Sequence, residues 1–316
     1  MGPSLKAEIE RQRTILNRAL RLVLAPTASV CAATWSTADK LDAVLAASIA
    51  HLPGCKLLYA LDTERRQVSA NVTDDRIESS VRGQDLSVRP FLLGLAVDAE
   101  FHLSPVYVSR VDRQPCVTAL HRVQEPGGAV LGFVAADFAL DSLPSTNNAA
   151  LCGSSAWRQI KGDPAIRQNL FLQERVHSAM DERLEEVHDT VVSLMAERGI
   201  FHAKLHYGSS RATLWLYDDP HNYRLHVLDE ITDPSVCLAY PRAQYAERAK
   251  VPRSALRDVF GRMARLRLAD STLYLRSGSL NVINGMVGLT FSCDGSHYMP
   301  VDEFLGKDDR FWFGAA

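Results

Sequence analysis

Apolar residues recur at helical spacing at the start of the chain. Leu5, Ile9, Leu16, Leu20 and Val23 follow one another at steps of three, four and seven, with charged residues on the other face, and this predicts a helix over 5–24 that Pro26 stops. A second helix is expected over 37–52. Ser36 or Thr37 would cap it, Leu41, Val44 and Leu45 would form its buried stripe, and Pro53 and Gly54 would end it. The pattern then changes to period two. Residues 56–62 and 67–72 read as a hairpin around a polar turn, 74–85 as loop or short helix, and 103–108, 116–123 and 129–138 as strands of an antiparallel sheet. Pro126, Gly127 and Gly128 mark the turn between the last two.

Residues 141–155, rich in Ser, Asn, Ala and Gly, read as a linker. Beyond it, Asp163 and Pro164 open a helical pattern whose apolar positions run through Met180, Leu184, Val187, Val191 and Leu194 to a stop at Gly199. A continuous helix from Pro164 would be on the order of 50 Å long, and a break near Phe171 or His177 is equally allowed. Strands are expected over 201–207, 211–217 and 223–228, a helix over 252–268, and strands over 272–276 and 286–292 around a turn-rich stretch, 277–285. The order of elements repeats that of the first half. The fold class expected is therefore α+β: two PAS-like antiparallel-sheet modules, 1–150 and 151–316, joined by a long helix.

Composition narrows the function classes. The 316 residues are 47% hydrophobic and 23% charged with a formal net charge of −2, the profile of a folded domain with no global field drawing it to nucleic acid. Six cysteines without a C-x-x-C pair give neither a disulfide framework nor a compact zinc signature. The N-terminus has no signal-peptide core, and the apolar stretch 22–33 is short and holds Pro26, so a cytoplasmic protein without a membrane span is expected.

The chemistry centres on Arg89, in the run Arg-Pro-Phe that precedes the strands. A guanidinium grips a carboxylate or phosphate through two parallel hydrogen bonds. The structural alternative is a loop arginine paired with Asp85 or Asp98. Tyr107 and Thr118 lie on expected strands, where alternation allows them to face the same side. His202 and His206 share one face of a strand but stand about 13 Å apart in an extended chain, too far for one metal ion. With His221, His226 and Cys237 nearby, they read as polar sheet residues. Cys293, Asp294 and His297 would suit a thiol nucleophile with its base only if the fold brought them together. Arg211, Arg276, Asn281 and Asn284 are candidates for a second pocket, although turns favour asparagine for backbone reasons alone. No cofactor or metal is expected.

The segment from about Cys55 to Leu140 resembles the Cache, or PDC, sensor domain, an extracellular-type PAS fold. The resemblance is carried by residues 58–63, 67–71, 89–91, 103–107 and 131–137 in that order. It implies that Arg89 binds a ligand carboxylate and that Asp137, closing the last strand, faces the same pocket. Phe91 stands where many members carry tyrosine. The expected site is Arg89, Phe91, Tyr107, Thr118 and Asp137. The expected function is a non-enzymatic sensor of a small carboxylate or amino-acid-like ligand, acting as a homodimer whose output is contact with another protein. The alternatives are a thiol- or metal-dependent hydrolase using Cys293 and His297, and a scaffold with a vestigial pocket.

Overall fold

The computed structural model describes residues 5–96, 98–110, 112–143, 174–292 and 295–313. The chain divides into two compact units, Ser4–Thr146 and a second comprising Asn147–Ala316 with the first three residues. Helices and two antiparallel sheets make both units α+β, as the alternating patterns require.

In the N-terminal unit α1 (Leu5–Ala32) and α2 (Ala38–Ile49) precede β1 (Cys55–Asp62). The short strands β2 (Asn71–Val72), β3 (Ile77–Glu78), β4 (Phe101–Leu103) and β5 (Tyr107–Val108) follow, and then the long hairpin β6 (Pro115–Gln124) and β7 (Val130–Ala139). The sheet order is β3-β2-β1-β7-β6-β4, with β5 also pairing β6. The alternating run 103–108 is thus two strands, interrupted where Ser104 turns its hydroxyl to the Pro105 carbonyl.

A further expectation is corrected in α1. The helix continues through Pro26 to Ala32, because Thr27, Ala28 and Cys31 are buried and outweigh the hydrogen bond that proline cannot donate. This helix is also long and apolar enough, by length and composition, to cross a membrane. Here its stripe of Leu16, Leu20, Leu24, Ala28 and Cys31 is buried, and α1 packs against β6 and β7.

The C-terminal unit begins irregularly. Residues 174–178 are not helical, and α3 (Leu184–Glu197) follows a single 3₁₀ turn, so the chain breaks near His177. Where the linking segment would lie, 144–173, is outside the described residues. The strands β8 (Ile200–His206), β9 (Arg211–Leu216) and β10 (Asp219–Val227) come next, then α4 (Leu228–Ile231) and α5 (Leu256–Leu268). After them come β11 (Leu275–Asn281), β12 (Met286–Phe291) and β13 (Ser296–Pro300), in the order β10-β9-β8-β11-β12-β13. The expected turn over 277–285 is strand as far as Asn281. Leu280 is fully buried, and β11 is hydrogen-bonded on both sides, to β8 and β12.

Candidate functional site

Strand register decides which side chains meet. In the N-terminal sheet Leu57 lies opposite Asp137, Tyr59 opposite Ala135 and Leu61 opposite Phe133. Across the other neighbour, Thr118 lies opposite Asp137 and Leu120 opposite Ala135, and Tyr107 pairs with Cys116. Directly paired residues share a face and alternate along each strand. Tyr59, Tyr107, Thr118 and Asp137 therefore project from one side of the sheet, while α1 occupies the other.

The segment after β3 roofs that side. Leu86, Phe91, Leu92 and Leu95 pack into one cluster with Tyr59, Leu61, Leu120 and Phe133. Pro90 confines the preceding residue to extended geometry, and Arg89 has φ −78° and ψ 139°, heading a 3₁₀ turn over Pro90–Leu92. Phe91 is driven into the core, and its ring lies 6.3 Å from Tyr59 and 6.1 Å from Tyr107. The Arg89 guanidinium stands 5.9 Å from the centre of the same ring. Asp42 of α2 accepts from the Ala70 amide at 2.7 Å and is ion-paired with Arg82, a few residues before this segment.

Around Asp137 the hydrogen bonds form a directed chain. Thr118 donates its one proton to Asp137 Oδ1 at 2.7 Å, so the 2.8 Å contact between Tyr107 and Thr118 is a donation from the tyrosine. Tyr59 approaches the same Oδ1 at 3.5 Å. Both bonds end on Oδ1, and Oδ2 accepts nothing among the described residues. Burial is the largest influence on this carboxyl and raises its pKa to about 6, although the Thr118 and Tyr59 hydrogen bonds and the Arg89 charge each pull it down.

Arg89 forms no ion pair with Asp137, Asp85 or Asp98 among the described residues. Asp85 caps the Ser87 amide at 2.9 Å, and the Asp98 carbonyl accepts from Arg122 at 2.5 Å. Arg89 Nε is buried without a hydrogen-bond partner. The expected residues Arg89, Phe91, Tyr107, Thr118 and Asp137 therefore come together. Tyr59, which sequence reasoning did not assign to the site, joins them. Its signal was the alternation of Leu57, Tyr59 and Leu61 on β1.

The raised Asp137 carboxyl has a measurable consequence. Its ordinary value is 3.8 and its folded value about 6, so between these the folded state binds the proton more tightly than the unfolded chain. Stability contributed by this group consequently falls as pH rises through that window. Urea unfolding between about pH 4 and pH 7 should show wild type losing on the order of 2–3 kcal/mol relative to Asp137→Asn. Parallel profiles would refute the shift.

No family model matches the chain, and no curated protein does. Among solved structures it is similar to the ligand-binding domain of a Campylobacter jejuni chemoreceptor in complex with L-norvaline. The identity is 13%, over 43% of this chain and 54% of that one, with a TM-score of 0.33. The chain is similar to chemoreceptor sensor domains. It spans about half the length of that receptor domain. A second is the ligand-binding domain of a Pseudomonas aeruginosa amino-acid chemoreceptor in complex with GABA, at 14% identity over 40% and 65% of the two chains and a TM-score of 0.22. A third is a Bacillus subtilis protein with an EAL domain, in complex with c-di-GMP and calcium, at 13% identity over 46% and 35% and a TM-score of 0.34.

The candidates of the C-terminal unit do not assemble in the same way. His202 stacks on Trp215 at 4.4 Å between ring centres, and His206 bonds to Thr213 at 3.0 Å. His226 is buried between Glu230 and Tyr240. No cluster of metal-ligating side chains occurs among the described residues. Asn281 and Asn284 accept backbone amides of their own turn, from Ile283 and Met286, which is the backbone role that turns give asparagine. Arg211 and Asn281 are held apart by β8, which runs between their strands. Cys293 and Asp294 lie outside the described residues, and His297 is exposed on β13.

Proposed function

We propose that the N-terminal unit is a sensor site for a small zwitterionic, amino-acid-like ligand and that its output runs through contact with another protein. The ligand carboxylate meets Arg89, its ammonium meets the open oxygen of Asp137, and its side chain lies against Tyr59, Phe91 and Tyr107. One observation carries the reading. A guanidinium with a buried, unpartnered Nε faces a carboxylate that has one oxygen held and one free, across a shared aromatic wall. Each charge is sheltered and lowers the other's cost, yet neither is used up by the protein. Binding shifts the fold only by as much as the ligand prefers one arrangement of the Arg89 loop.

Thermal unfolding against the common L-amino acids tests this. At a hundredfold excess over Kd a ligand adds about 2.7 kcal/mol, a rise of several degrees. A set of them should raise Tm in wild type, and Arg89→Ala should remove the rise while keeping the far-UV spectrum. Asp137→Asn should spare binding of the corresponding deaminated acids and lose that of the amines. A rise that survives Arg89→Ala, or no rise with any amino acid, would overturn the proposal.

A further inference from the structure

The two carboxyl oxygens of Asp137 are not equivalent. Oδ1 accepts from Thr118 at 2.7 Å and lies 3.5 Å from the Tyr59 hydroxyl, while Oδ2 accepts nothing among the described residues. The residue is partly exposed, and the unbonded Oδ2 keeps contact with solvent. Arg89 is also partly exposed. Its Nε is sealed, but its two terminal nitrogens are unbonded and open to solvent. The free oxygen and the end of the guanidinium are thus both within reach of a small molecule.

A proton added to this carboxyl goes on Oδ2. The chain from Tyr107 through Thr118 already directs a hydroxyl proton at Oδ1, and a second proton there would oppose it. Protonation therefore turns Oδ2 from an acceptor into a donor and leaves the other bonds in place. It also changes the charge of the site. The ionised carboxyl cancels the Arg89 charge, which suits a zwitterion, whereas the neutral carboxyl leaves one positive charge, which suits a monoanion.

We propose, resting on the site reading given above, that one proton on Asp137 Oδ2 switches the site between two ligand classes. The ionised carboxyl takes an α-amino acid and accepts from its ammonium. The protonated carboxyl takes the corresponding 2-oxo acid and donates to its keto oxygen. Arg89 holds the ligand carboxylate in both. The other titratable groups near Asp137 are Cys55 and Tyr59 of β1, Tyr107 of β5 and Cys116 of β6. Burial raises both thiols to about 12 and pushes both tyrosines above their ordinary value, so all four stay neutral. An arginine keeps its charge throughout. Asp137, raised to about 6, is the group that changes state.

L-Leucine and its 2-oxo acid, 4-methyl-2-oxopentanoate, are the probes. Their side chain suits the wall of Tyr59, Phe91 and Tyr107, and they differ only in the group that meets Asp137. Titration calorimetry on the full chain at about pH 5 and about pH 7, a range in which neither compound titrates, should show opposite trends. Leucine affinity should be about tenfold lower at the acid end, and oxo-acid affinity about tenfold lower at the neutral end. Buffers of different ionisation enthalpy should reveal a proton released when leucine binds at the acid end and one taken up when the oxo acid binds at the neutral end. Asp137→Asn, whose amide N–H stands in for the Oδ2 proton, should bind the oxo acid equally at both and not bind leucine. Arg89→Ala should bind neither. Leucine binding that needs Arg89 but is equal at both pH values overturns the inference and leaves the site reading standing, as does an oxo-acid affinity that does not rise on acidification. Binding of neither compound at either pH overturns both.

Discussion

Replacing Arg267 by alanine should destabilise the C-terminal unit by about 3–5 kcal/mol, the cost of leaving one partner of a buried ion pair alone. Arg267 is 1% exposed and the Asp181 side chain fully buried. The two meet through parallel bonds of 2.8 Å from Nε and Nη2 to the two carboxylate oxygens. Two of the three remaining donors are also used: Nη2 reaches the Val176 carbonyl at 3.1 Å and Nη1 the Leu275 carbonyl at 3.3 Å. Tyr274 and Tyr207 shelter the guanidinium, at 5.1 and 5.9 Å from their ring centres.

This pair fastens the irregular lead-in of α3 to the end of α5 and the start of β11. It also explains why the helical pattern breaks near His177, since Asp181 holds the Ser178 amide in a turn at 2.8 Å. Burial alone would raise the Asp181 carboxyl, but the bonds from Arg267 and Ser178 outweigh it and lower the pKa below 3.8. The pair's stability is therefore present above the ordinary carboxylate value and lost as pH falls through the lowered one. Urea unfolding at neutral pH measures the Arg267→Ala loss. Because both charges are then gone, the double variant Arg267→Met with Asp181→Leu should lose less than Arg267→Ala alone. A loss within about 1 kcal/mol for Arg267→Ala would refute the role.

Arg267 also shows where sequence reading stops. It sits among several arginines on one amphipathic helix, and its partner is 86 residues away, so no local spacing singles it out. Thr118 and Asp137 were different. They belong to one hairpin whose strands alternate cleanly, and pairing across that hairpin brings them opposite each other. Arg89 was legible as a chemical type ahead of a proline, but nothing in the local sequence marked its Nε as buried without a partner. Pro26 and the stretch 277–281 misled for one shared reason: local breakers were overridden by burial of Ala28, Cys31 and Leu280 against the sheets.

Gly132→Ala should be as damaging as loss of the ion pair, by about 3–5 kcal/mol, through strain and overpacking together. Gly132 opens the paired stretch of β7 opposite Asp62 with φ +155°, a conformation that side-chain-bearing residues rarely adopt. A Cβ there would stand 2.0 Å from the Leu61 carbonyl oxygen and 2.7 Å from the Trp35 ring. The ring belongs to a side chain and can move aside, but the carbonyl is backbone of the adjoining strand and cannot. Trp35→Ala should therefore fail to rescue Gly132→Ala, which distinguishes backbone approach from simple crowding. Gly127→Ala, at a turn with nothing within 4 Å, should stay within about 0.5 kcal/mol of wild type. A Gly132→Ala variant within about 1 kcal/mol of wild type would refute the argument. The effect reaches the proposed site as well, because Phe133, Ala135 and Asp137 follow on the same strand at alternate positions. Any adjustment that lets the new methyl in must move β7 against β1, and with it the carboxylate that Thr118 and Tyr59 hold.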